Sequence, residues 1–254
     1  MACRFCSKRS AFAVEKGPKY SSWHGPSEHV LRGLDDETFD AVVSDPPFAA
    51  GATSLLGRLQ SSATKYQNTG IKRQQHPIDG DSMLPDAWEF MISSVLRQCY
   101  RVMKPGADLL FFCDWRSLPG FLKCVGGTGF QLRAVPIWNK GRGCRPQRNG
   151  FRNQSEMILW AKRPGKLERS DPDRYLDGVF THATMTDKCH LTQKPVALMR
   201  ELLAIVPTGG HVLDPFQGSG STGVAALQLG LRYVGIESTE HYHAVAVERL
   251  KAKA

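Results

Sequence analysis

The chain has 254 residues, a length that suits one α/β domain or one domain carrying a small insertion. Hydrophobic residues make up 41%, which excludes a chain too polar to bury a core. Lys and Arg number 33 against 24 Asp and Glu, and the resulting formal charge of +9 favours a polyanionic partner, of which nucleic acid is the commonest.

Residues 1–22 show little periodicity and read as a loose N-terminal arm, so the main domain is expected over 23–254. Residues 27–34 read as a short helix. Residues 39–44 (FDAVVS) read as a buried strand that runs into Asp-Pro-Pro. Residues 49–82 have no sustained period. They hold no acid before Ile78 but carry Arg58, Lys65, Lys72, Arg73 and His76, the pattern of a long loop with a positive face. From Pro85 to Lys104 the apolar residues Trp88, Met91, Ile92, Val95, Cys99, Val102 and Met103 recur at helical spacing, and Pro105-Gly106 stops the helix.

A buried strand is expected at 107–113, a short helix at 117–125, and strands near 130–138 and 155–161. Residues 162–190 are polar and turn-rich. A helix follows at 195–206, then strand 211–214, helix 221–229, strand 232–236 and helix 240–251. Strands alternating with helices predict a doubly wound α/β fold with a mainly parallel sheet covered on both faces.

Seven scattered cysteines show no disulfide framework and point to a reducing compartment. The start of the chain lacks the apolar run of a signal peptide, and no stretch reaches transmembrane length. A soluble cytoplasmic protein is expected. Cys3-x-x-Cys6 is half of a zinc pattern whose other half is missing, so no metal is expected.

Three motifs carry chemistry. The first is Asp45-Pro46-Pro47-Phe48, placed directly after a strand, where open α/β sheets bind ligands. Two prolines stiffen the turn and remove two N–H donors, leaving the Pro46 carbonyl and the Asp45 carboxylate as acceptors beside the flat Phe48 ring. Two acceptors and a stacking face suit an amino group on a planar ring, and acceptors on both N–H bonds expose its lone pair. Taken alone, the turn also suits an ordinary protein surface.

The second motif is Asp214-Pro215-Phe216-Gln217-Gly218-Ser219-Gly220-Ser221-Thr222-Gly223, a strand end, glycine-rich bend and helix start, followed by a strand ending in Glu237. The glycines match G-x-G-x-x-G, and a carboxylate at the second strand's end commonly holds ribose hydroxyls. Too little chain follows Gly223 for a full dinucleotide fold, so a single-nucleoside cofactor is expected. The third is His190-Leu191-Thr192-Gln193-Lys194-Pro195, where Lys194 near a helix start suits a carboxylate, and where an ordinary cap with Pro195 in the first turn is the plainer alternative.

Together, in this order, the three motifs resemble the β group of amino-methylating DNA methyltransferases over roughly residues 23–250. The resemblance implies a Rossmann-like methyltransferase fold with circularly permuted motif order, and S-adenosylmethionine as cofactor. It places Asp214, Pro215, Phe216, Gly218, Ser219 and Gly220 on that cofactor, Glu237 on its ribose, and Thr192 and Lys194 near its methionine end. Asp45, Pro46, Pro47 and Phe48 would hold a base flipped out of double-stranded DNA. Phe48 replaces the usual Tyr, Leu191 a frequent Pro, and Ser221-Thr222 a Thr-Thr pair.

Members acting on cytosine N4 usually carry Ser where Asp45 stands, so adenine N6 is the expected target, with cytosine N4 as the alternative. An RNA base or a protein glutamine also presents a planar amino group and stays open as a substrate. So does the case of a degenerate homologue that binds DNA without turnover. Members often dimerise, so a homodimer is an expectation, as is service in restriction-modification.

The recognition region is expected at 140–190. Within it Lys140, Arg142, Arg145, Arg148 and Arg152 form a glycine-containing cationic run that suits phosphate contact. A wedge from the 49–82 loop is expected to help flip the base.

Overall fold

The computed structural model describes residues 12–48, 83–144, 146, 148–169, 173, 175–185 and 193–253. In chain order the elements are β1 (Val14–Lys16), β2 (Tyr20–His24), α1 (Ser27–Val30), β3 (Phe39–Ser44), α2 (Pro85–Val102), β4 (Met103–Cys113), α3 (Leu118–Thr128), β5 (Gln131–Ala134), β6 (Ile137–Asn139) and β7 (Ser155–Lys162). They continue with β8 (Val179–Thr181), α4 (Val196–Leu203), β9 (His211–Asp214), α5 (Ser221–Gln228), β10 (Arg232–Glu237) and α6 (Glu240–Lys251).

The strands form one sheet in the order β1-β2-β10-β9-β3-β4-β7-β6-β8, with β5 also paired to β7. The centre, β2-β10-β9-β3-β4, is parallel throughout. β7 then runs antiparallel to β4, and β5 and β6 antiparallel to β7. This is the Rossmann-like sheet expected, parallel at the centre where helices cross over and with antiparallel pairs toward both flanks.

The central strands are buried on both faces, which is why Ala41-Val42-Val43 is apolar at consecutive positions rather than alternating. Val42, Leu109, Phe111, Leu213 and Ile236 point into a core closed by α1, α2 and α3. Their neighbours Ala41, Val43, Leu110, Phe112 and Val212 point into a second core under α4, α5 and α6. On α2, Trp88, Ile92, Val95, Leu96, Cys99 and Val102 form the buried stripe that helical spacing predicts.

Four expectations change. Residues 14–24 are not a loose arm: β2 extends the parallel sheet beside β10, and β1 folds back on it. Lys104 is not helical, because β4 begins at Met103 and runs through Pro105-Gly106; Gly106 N–H donates to the Arg163 carbonyl there. The strand expected over 130–138 is two, interrupted at Val135-Pro136, where proline has no N–H to continue the ladder. The expected 140–190 recognition region contains β7, which pairs with β4 from Asp108↔Lys162 to Cys113↔Met157 and belongs to the body of the sheet. The 49–82 loop, with Arg58 and Lys65, and the Cys3–Cys6 pair lie outside the described residues.

No helix among the described residues is long and apolar enough to cross a membrane.

Candidate active site

β3 and β9 are parallel neighbours, paired through Ala41↔Val212 and Val42↔Leu213. From their carboxyl ends the chain leaves in opposite directions, β3 toward β4 and β9 toward β10. That is a topological switch point, where the two departing connections leave a crevice. Asp45-Pro46-Pro47-Phe48 and the glycine bend after Asp214 rise from adjacent strands at this point. Asp45, Phe48, Phe216, Gly218 and Glu237 line one cavity.

A side chain outside the three motifs joins the two turns. Ser44 Oγ donates to Asp214 Oδ1 at 2.5 Å and accepts from the Phe216 N–H at 3.2 Å, which also reaches Asp214 Oδ1 at 3.1 Å. Burial pushes the Asp214 carboxyl up to about 6, against the pull of hydrogen bonds from Ser44, Thr222, the Phe216 N–H and Tyr233. Hydrogen bonds to a charged acceptor contribute about 1.5–3 kcal/mol each, so this pin holds two turns far apart in sequence at a fixed spacing. Ser27, at the start of α1, adds a bond from its hydroxyl to the Pro215 carbonyl.

The Asp-Pro-Pro-Phe turn is held from the other side as well. Trp88 Nε1 donates to the Pro47 carbonyl at 2.6 Å, and Ser117 Oγ to the Phe48 carbonyl at 2.8 Å. Asp45 Oδ2 receives the Lys194 ammonium at 2.5 Å. Asp45 Oδ1 is buried and has no hydrogen-bond partner among the described residues. Burial raises the Asp45 carboxyl to about 7; Lys194 opposes that rise and Glu156 adds to it. A buried acceptor of this kind takes its donor from water or from a ligand.

Lys194 is only 6% exposed. Besides Asp45 it meets Glu156 Oε1 at 2.9 Å, and its ammonium lies 4.9 Å from the centre of the Phe112 ring and 5.7 Å from that of Phe48. Burial lowers its proton affinity, but the two carboxylates outweigh that and leave it raised. One of its three N–H donors is hydrogen-bonded to Asp45, while Glu156 holds the ammonium as a close ion pair without a hydrogen bond. Thr192, expected beside it, lies outside the described residues.

In the glycine bend, Gly218 (φ 51°) and Gly220 (φ 77°) take left-handed backbone. A Cβ on Gly220 would also lie 3.1 Å from the Ala246 Cβ. Gly220 does not line the cavity; its part is conformational, whereas Asp214, Pro215, Phe216, Gly218 and Ser219 do line it. Glu237, at the end of β10, accepts the Gly218 N–H at 2.9 Å on one oxygen and the Thr239 N–H at 2.8 Å on the other. Its carboxylate is therefore fixed, with further lone pairs to offer the cavity. Burial raises its proton affinity while the two N–H groups counter it.

The cationic run rises from the same edge, because β7 starts level with the carboxyl end of β4. Its members are not equivalent. Arg142, Arg148 and Arg152 are exposed. Lys140 instead turns inward, 3.5 Å from Glu156 Oε2 and over the Trp138 ring. Arg152 folds onto its own loop, donating to the carbonyls of Arg142 at 3.0 Å and Cys144 at 2.9 Å. Arg145 lies outside the described residues. Phe151 is 96% exposed at the tip.

Sequence reasoning misses Glu156. A signal is present: it is the only acid from residue 115 to 167. Nothing local, however, ties it to Asp45.

A sequence model described as DNA methylase matches residues 39–248. The putative methylase YubD of Escherichia coli K12 is 29% identical over 229 residues, covering 90% of this chain and 88% of its own. Among solved structures, the M1.HpyAVI–SAM complex superposes with a TM-score of 0.66 at 21% identity, over 91% of this chain and 98% of that one. The cytosine-N4-specific PvuII DNA methyltransferase gives 0.68 at 14% identity, over 92% and 87%.

Proposed function

Because the chain belongs to the DNA methylase family, as the match over residues 39–248 shows, we propose that it methylates the N6 amino group of adenine in double-stranded DNA. At the coarser level it is an S-adenosylmethionine-dependent DNA methyltransferase of the N6/N4 family. The observation that supports transfer to an amino group is the meeting of Asp45 and the glycine bend in one cavity, pinned by Ser44.

The residues present suit the cofactor. Gly218 and Ser219 cradle it, Phe216 offers an apolar wall, and Glu237 presents lone pairs to a ribose diol. When bound, S-adenosylmethionine supplies an electrophilic methyl group on a sulfonium.

The chain's own residues prepare the amino group to receive it. Asp45 Oδ1 accepts one N–H and the Pro46 carbonyl the other, so the nitrogen lone pair turns out of the ring. Phe48 stacks on the base and fixes its plane. An amino nitrogen that had accepted a methyl would carry one proton too many. A carboxylate whose proton affinity lies near neutrality is matched to receive it at Oδ1. Fixed acceptors aimed at developing charge contribute on the order of 3 kcal/mol each.

Asp rather than Ser at position 45 supports adenine over cytosine, since family members acting on cytosine N4 usually carry Ser there. Arg142 and Arg148 are the phosphate-contacting cations of the 140–152 loop, and the base reaches Asp45 by flipping, which costs a few kcal/mol.

The experiment is nucleoside mass spectrometry on DNA from cells expressing the protein, beside an Asp45→Ala control. N6-methyladenine absent from the control is expected. N4-methylcytosine overturns the adenine assignment, and no modified base overturns the activity.

A further inference from the structure

Four charges of alternating sign run inward from the cationic loop: Lys140, Glu156, Lys194 and Asp45. Their separations are 3.5, 2.9 and 2.5 Å. The side chains of Lys140 and Glu156 are each 15% exposed, and that of Lys194 is 7%. Water therefore screens these pairs weakly, and each charge feels the next. Glu156 comes from β7 and Lys194 from the segment before α4, so the arrangement exists only in the folded sheet.

We propose that Glu156 is a positioning residue: by sharing the Lys194 ammonium with Asp45, it keeps Asp45 Oδ1 open to the target amino group and keeps that carboxylate a strong acceptor. This rests on the reading of Asp45 as the group that binds the amine.

The physical argument has two parts. A lone ammonium beside a lone carboxylate closes a tight pair and draws the carboxylate to itself. With a second carboxylate 2.9 Å away the ammonium's charge is shared between two acids, although only Asp45 Oδ2 takes a hydrogen bond from it, and Asp45 Oδ1 has no partner among the described residues. A second negative charge also disfavours ionisation of the first, so Glu156 raises the proton affinity of Asp45 where Lys194 alone would lower it. The other ionisable groups facing Asp45 are Asp214 on β9 and Cys113 on β4, and neither touches Lys194.

The test uses the full chain, with the Asp45 carboxyl followed by carbon-13 NMR in protein labelled at aspartate and assigned by subtraction of an Asp45→Asn spectrum. Replacing the charge with a neutral isostere, Glu156→Gln, should move the Asp45 midpoint down by about one pH unit from its value near 7. Glu156→Asp should restore most of that shift. In parallel, kcat for Glu156→Gln should fall about tenfold while S-adenosylmethionine and duplex DNA bind within about threefold of wild type.

An unmoved Asp45 midpoint overturns the proposal, and so does a loss of cofactor affinity as large as the loss in kcat. If Glu156→Gln does not fold, the same measurement on Glu156→Asp decides, since a shortened carboxylate must still move the midpoint downward by a measurable fraction of a unit. The NMR readout stands whatever the substrate. A wild-type protein that methylates nothing while Asp45 shifts as expected therefore defeats the functional reading and with it the amine-binding part of this proposal, and leaves the coupling of Glu156 to Asp45 standing.

Discussion

The turn after β3 and the loop between β6 and β7 rise from the same edge of the sheet but are held in different ways. The turn is fastened from four directions: by Ser44 to the glycine bend, by Trp88 of α2, by Ser117 before α3 and by Lys194 before α4. The loop is fastened mainly to itself, through Arg152 on two of its own carbonyls, and to the sheet through Lys140 on Glu156. A fixed acceptor needs no reorganisation when charge develops on it. A surface that meets a polyanion needs exposed, adjustable charge instead. Arg142, Arg148 and Arg152 are exposed, Arg152 with one guanidinium nitrogen held by its own loop, while Lys140 is turned inward, so the cation count in sequence overstates the number available to a partner.

The contrast breaks most sharply at Asp45. Asp45→Ala removes the orphaned acceptor and leaves the glycine bend intact. It should lower kcat by about 10³-fold and leave S-adenosylmethionine binding within a few-fold, measured by single-turnover kinetics and calorimetry. Comparable losses in both would mean that the turn supports the cofactor rather than the base.

The pH profile probes the same group. With its carboxyl held near 7, Asp45 is ionised above that pH and protonated below it. A protonated carboxyl loses acceptor capacity, so kcat/KM should be flat above neutrality and fall about tenfold per unit below it. A limb at the ordinary carboxylate value would show that the cleft is open to water in solution.

Ser44→Ala should cost less, about tenfold in kcat/KM for S-adenosylmethionine together with a lower Tm, because Asp214 loses one of several partners and not all of them. Thermal melts with and without cofactor separate the two effects. The smallest effect is expected in the loop. Replacing Arg142 and Arg148 together with Ala should weaken duplex binding several-fold, reduce the salt slope by about 2, and leave cofactor binding unchanged. An unchanged salt slope would move the phosphate contact elsewhere on the protein.

Much of this arrangement is legible in the unfolded chain. The β3 strand and its Asp-Pro-Pro-Phe turn, the β9 strand with its glycine bend, and the apolar stripe of α2 are local patterns, and each appears where its residues indicate. The first strands are not legible. β1 and β2 are short and mix Ser, Glu and Lys with single apolar residues, so their place in the sheet comes from pairing with β10. β7 reads as a strand but one inside an insertion, because the polarity of the segments on either side masks its pairing with the centre of the sheet.

By itself the sequence determined where the backbone turns beyond β3 and β9, because a proline pair restricts its own φ and a glycine permits the left-handed backbone that other residues avoid. Only the tertiary structure decided which side chains serve those turns. Ser44 finds Asp214 across 170 residues and Lys194 finds Asp45 across 149, while Glu156 joins them from a different strand. A lone Ser, Lys or Glu has no local signature, and its role is set by the low-dielectric cleft that strand order creates around it.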